Sequence, residues 1–246
     1  MRATLDLNAD VGEGFDGDTE LFALITSANV ACGFHAGDAA TMRVCCELAV
    51  ASGVAVGAQV SYRDRAGFGR RDVDVSADEL AEALDEQLAD LRDAATAAGV
   101  DVGYIKPHGA LYNRIVWDVE QAAAVVSVAR RHRLPLLGLP GSRALGLGVD
   151  AGVATFAEFF ADRGYAADGR LVPRSEPGAL VADADAVATR VARLATAGIV
   201  ESVDGTDVVV EADSVCVHGD TPDAVALARS ARAALEAAGC MLRPFT

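Results

Sequence analysis

The amino-acid sequence predicts an α/β fold, a TIM-like (β/α)7 barrel, on three observations. Short apolar runs alternate with alanine-rich amphipathic stretches about seven times along 246 residues, the pattern of a parallel sheet built from βα units. Nearly every apolar run ends in a polar segment rich in glycine, whereas a doubly wound open sheet concentrates such residues at one switch point. No linker or low-complexity stretch interrupts the alternation, so residues 1–246 are expected to form a single barrel domain.

Strands are expected at 3–7, 28–32, 54–58, 102–105, 134–139, 154–160 and 214–217, each a short apolar run. Helices are expected at 39–52, 76–98, 119–131, 142–151, 183–197 and 222–238. Ser76 opens the second of these with Glu79 three residues on, a capping box. Gly53, Gly99 and Gly239 each follow a helical run, where a left-handed residue ends it. At the fourth strand end, Pro107 pushes Lys106 into an extended conformation, so this side chain projects from the strand rather than opening a helix. The stretch 164–182 carries extra glycines and prolines and reads as a lid or small hairpin.

Composition narrows the function. A net charge of −15 argues against nucleic acid or anionic lipid as a partner. The opening residues, Met1-Arg2-Ala3-Thr4-Leu5-Asp6, meet charge at once, unlike a signal peptide. No apolar run approaches the roughly 18–20 residues of a membrane helix. Five cysteines, with Cys45 and Cys46 adjacent and no paired spacing, suggest reduced thiols in a cytoplasm.

The chemistry gathers at the strand ends. Lys106 is the sole lysine beside twenty arginines, and a compact ammonium differs from a flat guanidinium in what it can reach and how its pKa responds to burial. Three of four histidines, His35, His108 and His218, lie at strand ends beside or near glycine, where imidazole supplies proton transfer near neutral pH. His132 sits among arginines at a helix end and reads as surface. Asp10 and Glu13 either cap the next turn or act as base and water-orienting group. Asp38 is due at a helix N-cap or in the site, and Asp220, before Thr221-Pro222, reads as a cap. Asn8 and Asn29 would be costly if buried unpaired, so they suit a small polar ligand or neighbouring loops. Arg163 and Arg174 suit a carboxylate held in bidentate fashion.

The runs DLNADVGEG, SANVACGFHAGD, KPHGALYN, FADRGYAADGRLVPR and VCVHGDTPDA, in this order over essentially the whole chain, resemble the LamB/YcsF family of 5-oxoprolinase A subunits. The resemblance implies a seven-stranded βα barrel related to the glycoside hydrolase/deacetylase superfamily. It also implies ATP-dependent opening of 5-oxo-L-proline to L-glutamate in complex with subunits B and C. Tyr112 and Asn113, in KPHGALYN, then join Asn8, Glu13, Asn29, Asp38, Arg163, Arg174 and His218 as expected substrate contacts. One departure stands out: the family's usual Gly-Ala-His-Pro at the third strand end is Gly57-Ala58-Gln59-Val60 here. Glutamine is a poor metal ligand and no base.

Opening a lactam through a phosphorylated oxygen needs a cation over the developing oxyanion and a base for water. Lys106 is the expected cation, His35 or Asp10 the base, and His108 the proton donor to the departing nitrogen. Arg174 would hold the substrate carboxylate. ATP, with magnesium, is the expected cosubstrate. The chain has no GxxxxGK[ST], and the nucleotide is expected on partner subunits or at their interface. Two alternatives remain open: a metal-dependent deacetylase using Asp10, His35 and His108 as ligands, and a non-catalytic subunit that binds a small acid.

Overall fold

The computed structural model describes residues 4–246; Ala3, the expected start of the first strand, and the charged opening at 1–2 lie outside them. Strands β1 (Thr4–Val11), β2 (Ser27–Ala31), β3 (Ala55–Val60), β4 (Val102–Pro107), β5 (Leu136–Gly138) and β6 (Thr155–Phe160) run parallel in sequence order. After β6, the strands β7 (Ile199–Glu201) and β8 (Asp207–Val209) form a separate antiparallel hairpin. β9 (Ser214–Val217) then inserts between β6 and β1, pairing Ser214 and Cys216 with Glu158 and Phe160 on one side and with Asp6 and Asn8 on the other. That pairing closes the expected seven-stranded parallel barrel. β10 (Met241–Leu242) lies alongside the start of β1.

Among the described residues eight α-helices accompany the strands: α1 (Asp18–Phe22), α2 (Ala39–Ser52), α3 (Ala77–Ala98), α4 (Gly109–Arg114), α5 (Val119–His132), α6 (Arg143–Asp150), α7 (Ala184–Ala197) and α8 (Ala224–Ala237). The capping box at Ser76 and Glu79 is formed, and Gly53 and Gly99 close α2 and α3 in the left-handed conformation. α3 buries Leu80, Leu84, Leu88 and Leu91 on one stripe, each contributing about 1.5–3 kcal/mol by leaving water. Among the described residues no helix is long and apolar enough to cross a membrane. The five cysteines are buried, with no disulfide between them.

Alternation along each strand sorts the side chains into two cores. Leu5, Leu7, Ala9 and Val11 of β1, Ala28 and Val30 of β2, and Val215 and Val217 of β9 pack outward into the apolar layer under the helices. The residues between them are polar, and they meet across the barrel axis. Asn8 donates to Glu158 and Ser214, Asn29 donates to Asn8 and Asp10, and Ser27 donates to Asp6. Tyr104 donates from its hydroxyl to Asn29, and its ring fills the space over Gly57, where an added Cβ would lie 2.1 Å from it. This barrel is therefore packed by hydrogen bonds inside and by aliphatic contacts outside.

Several elements differ from the sequence reading. α1 and α4 are too short to display a helical period. The β7–β8 hairpin was not expected, although Asp204-Gly205 at its turn is a hairpin signal. Asp220 caps nothing: α8 starts at Ala224, and its N-cap Asp223 makes no side-chain cap bond. The stretch 164–182 is an irregular excursion tied by antiparallel bridges between Arg163 and Leu180 and between Tyr165 and Leu171.

Candidate active site

The carboxyl ends of the strands open onto a cavity of about 340 Å³, within the range of small-molecule sites. Buried Asp10, Lys106, His108, Tyr112, Phe160 and His218 line it. Arg70, Arg163, Arg174 and Asn113 complete the wall. α4 starts directly at this wall because Gly109 takes φ 61° against the backbone of Gly69, where a Cβ would sit 2.3 Å from the Gly69 carbonyl oxygen. A side chain at that position would force the two segments apart.

Lys106 is more constrained than expected. Its Nζ donates to Asp10 Oδ1 at 2.8 Å, to Cys216 Sγ at 3.1 Å and to Asn8 Oδ1 at 3.5 Å, and forms an ion pair with Glu158 Oε1 at 3.0 Å, so all three donor positions of the ammonium are engaged. Burial works against its charge, but Asp10 and Glu158 outweigh burial and hold its pKa well above the lysine range. Burial likewise opposes ionisation of Asp10, yet Lys106, His108 and His218 together hold that carboxylate well below its ordinary range. Cys216 stays a thiol, because burial pushes it up. As placed, the ammonium secures an ionised Asp10 and has no N–H left for a substrate oxyanion. An Asp10 so stabilised is a weak proton acceptor that can still orient a ligand.

Behind this pair lies a second cluster around Gln59. Its carboxamide nitrogen donates to Glu13 Oε1 and to His108 Nδ1, both at 2.9 Å, and its oxygen is 3.2 Å from His35 Nε2. His108 Nε2 faces the Phe68 carbonyl oxygen at 3.1 Å, and His35 Nδ1 lies 3.0 Å from Ser61 Oγ. The two imidazoles stack 4.0 Å apart. Burial pushes His35 down to about 4 and, helped by His35, lowers His108. Burial and the Asp10 charge push Glu13 up to about 7. His35, expected as a base, is 1% exposed, lies off the cavity wall and has both ring nitrogens engaged. His108 reaches the cavity, but its nitrogens are engaged too.

The expected metal ligands Asp10 and His35 do not form a set; the residues that converge are Glu13, His35 and His108, with ligand atoms within 4.8 Å of one another. One carboxylate and two imidazoles would suit a borderline cation. Gln59 donates to Glu13 Oε1 and to His108 Nδ1, while Glu13 Oε2 is buried without a hydrogen-bond partner. In this arrangement Gln59 and the two imidazoles form one hydrogen-bonded unit, and a cation drawn to Glu13 Oε2 would have to displace Gln59 to reach His108 Nδ1.

His218, expected as a substrate contact, has the geometry of a proton acceptor. Its Nδ1 lies 2.9 Å from Asp162 Oδ1, and Asp162 Oδ2 also accepts from the His218 backbone N–H and from Thr221 Oγ1. Burial raises the Asp162 carboxyl, but His218 and these hydrogen bonds outweigh it and lower its pKa. The ring stacks on Phe160 at 5.0 Å. Nδ1 is directed at Asp162, and the ring lines the cavity. Asp162 sits in the run FADRG, and its strand-end position was the available signal; Glu158 was marked by a charge within an apolar run.

The remaining expected contacts separate clearly. Asn8 and Asn29 are fully buried in the barrel interior, where they brace Asp10 and Glu158 rather than meet a ligand. The Tyr112 hydroxyl is buried without a hydrogen-bond partner, on the cavity wall. Asn113 donates to the Gly109 carbonyl. Arg163 is buried, pushed down to about 10 by burial and by Arg174, and donates to the carbonyls of Ala179 and Val172. Two of its donors are thus unavailable for a bidentate carboxylate. Asp38 lies outside this cavity: its exposed carboxylate caps α2 by accepting from the Thr41 backbone N–H. Arg70, from the loop after β3, was not expected here.

The pattern of the LamB/YcsF family matches residues 5–246. The chain belongs to that family. Among LamB/YcsF relatives, the A subunit of 5-oxoprolinase from Streptomyces coelicolor is 56% identical over 98% of this chain and 99% of its own length. The crystal structure of the lactam utilization protein of Thermus thermophilus superposes with a TM-score of 0.92 at 39% identity, covering 98% of this chain and all of that one. A family 4 carbohydrate esterase from Streptomyces lividans has a TM-score of 0.54 at 13% identity, covering 99% and 93% of the two chains. That last likeness is one of fold.

Proposed function

We propose that this chain is the lactam-opening subunit of an ATP-dependent 5-oxoprolinase, acting on 5-oxo-L-proline to give L-glutamate. The names of relatives supply the substrate class, and the observation that carries the chemistry is the Asp162–His218 pair, its imidazole on the wall of a small cavity that Arg70, Arg163 and Arg174 also line.

In this reading ATP, with magnesium, activates the lactam oxygen, and subunits B and C hold the nucleotide, consistent with the absence of a phosphate loop. The assembly would work in the cytoplasm. His218 Nε2 takes the proton from a water that attacks the ring carbonyl carbon. Asp162, against Nδ1, supports the imidazolium that forms, and the same imidazolium returns a proton to the nitrogen as it departs as the amine; the acyl phosphate left behind is hydrolysed by a second water to L-glutamate and phosphate. Positioned proton transfer of this kind contributes about 10²–10⁴-fold. Lys106 holds Asp10 ionised at the cavity floor, and Arg174 receives the substrate carboxylate.

The test is to assemble the chain with its presumed partner subunits and follow glutamate and ADP from 5-oxoproline, with and without this chain and with His218→Gln. Loss of glutamate formation by at least about 10²-fold in the variant is expected. Turnover near normal would remove His218 from the role. Turnover of a small amide without ATP, with stoichiometric bound metal, would favour the deacetylase reading instead.

A further inference from the structure

We infer that Arg70 and Arg174 form a carboxylate site that the chain keeps filled with its own Asp220, and that a small acid enters by displacing it. The inference takes its ligand, the ring carboxylate of a lactam acid, from the function proposed above. The two arginines arrive from separate segments, Arg70 from the loop after β3 and Arg174 from the excursion at 164–182, and both line the cavity. Both reach the same oxygen. Arg70 Nη2 bonds to Asp220 Oδ2, and Arg174 Nη1 lies 3.6 Å from it. The other oxygen, Oδ1, is buried without a hydrogen-bond partner. Two planar forks, each able to grip a carboxylate through both oxygens, thus share half of one.

The local charge is unbalanced in the same sense. Arg163, a third guanidinium on this wall, donates to backbone carbonyls and makes no ion pair among the described residues. Around this cavity four cations, Arg70, Lys106, Arg163 and Arg174, face two acids, Asp10 and Asp220, with Asp162 acting electrostatically on Arg163, in a chain whose net charge is −15. A partly enclosed site with surplus positive charge attracts a small anion. The side chains of Arg70 and Arg174 are 32% and 27% exposed, against 9% for Asp220, so an incoming acid meets the arginines first.

Asp220 can leave without disturbing the base. It caps no helix, and its neighbours are fixed independently of it: the His218 N–H and the Thr221 hydroxyl both bond to Asp162. A rotation of the Asp220 side chain frees both guanidinium groups while His218 stays in place. A neutral lactam cannot trigger that exchange, so the site selects lactams that carry a carboxylate.

Calorimetric titration of the purified full chain with 5-oxo-L-proline, propionate and uncharged pyrrolidin-2-one reads this out. Asp220→Asn keeps the shape and removes the competing charge. It is expected to bind both acids about fivefold more tightly, the equivalent of one partly exposed ion pair, with pyrrolidin-2-one unchanged. Arg70→Gln and Arg174→Gln should each weaken both acids and leave the neutral lactam alone. If Asp220→Asn binds the acids no better than wild type, or worse, Asp220 merely positions the arginines and the inference is overturned. If propionate responds as expected but 5-oxo-L-proline binds no variant, the carboxylate site stands and the substrate proposed above fails.

Discussion

Replacing Lys106 with methionine keeps the length of the side chain and removes its charge. In the native barrel the Lys106 side chain is 2% exposed, and Nζ sits 2.8 Å from Asp10 and 3.0 Å from Glu158. The variant leaves the Asp10 carboxylate buried, with the Asn29 amide at 2.9 Å as its nearest remaining donor. Removing one partner of a buried ion pair costs about 3–5 kcal/mol, or on the order of 10 °C in melting temperature for a chain of this size. The cost depends on pH. In the wild type the Asp10 pKa is lowered below its unfolded value of 3.8, so its contribution is present above that pH and is lost as pH falls through the folded value. In the variant burial acts without the ammonium and raises the Asp10 pKa; stability is then present below the unfolded value and lost as pH rises. The gap between the two proteins should therefore be widest at neutral pH and narrow on acidification. Urea denaturation followed by far-UV circular dichroism at pH 7.5 and 4.5 measures it. A variant within about 1 kcal/mol of wild type at pH 7.5, or a gap that widens at pH 4.5, would refute the reasoning.

Glu13, pushed up to about 7 from 4.5, contributes stability that is present below pH 4.5 and lost as pH rises through 7, about 3 kcal/mol as an upper bound; Glu13→Gln should flatten that fall, measured as the change in melting temperature between pH 5 and pH 8. Gly57→Ala places a methyl 2.1 Å from the Tyr104 ring and should cost about 1–3 kcal/mol in chemical denaturation; a neutral result would mean that the Tyr104 ring moves freely. Asp38→Ala removes the α2 cap and should lower the melting temperature while glutamate formation by the assembled enzyme continues unchanged; lost turnover would return Asp38 to the site.

How much of the site was legible depended on how local its signals were. Capping is settled within three or four residues, so the helix starts at Ala39, Ala77 and Val119 agree with expectation. Polar strand ends pointed to Asp10, Lys106, His108 and His218, and all four line one cavity. What a sequence position does not carry is the partner across the barrel. His35 and His218 look alike as strand-end histidines beside or near glycine. His35 has both nitrogens taken up by Ser61 and Gln59, whereas His218 has one directed at Asp162. Asp220 reads as a cap from its neighbours Thr221 and Pro222, and only the approach of Arg70 from 150 residues away assigns it elsewhere.

The sequence by itself determined the number and order of the βα units, their parallel arrangement and the end of the barrel where the chemistry gathers, because apolar period, capping and strand-end polarity are written within single segments. The tertiary structure decided which polar residues face inward together, since barrel closure through β9 brings Asn8, Glu158 and Ser214 within hydrogen-bond reach. It also decided which charges are spent on one another. The lone lysine is conspicuous in the sequence, but that its ammonium is engaged by Asn8, Asp10, Cys216 and Glu158 follows from distances between segments that no local pattern encodes.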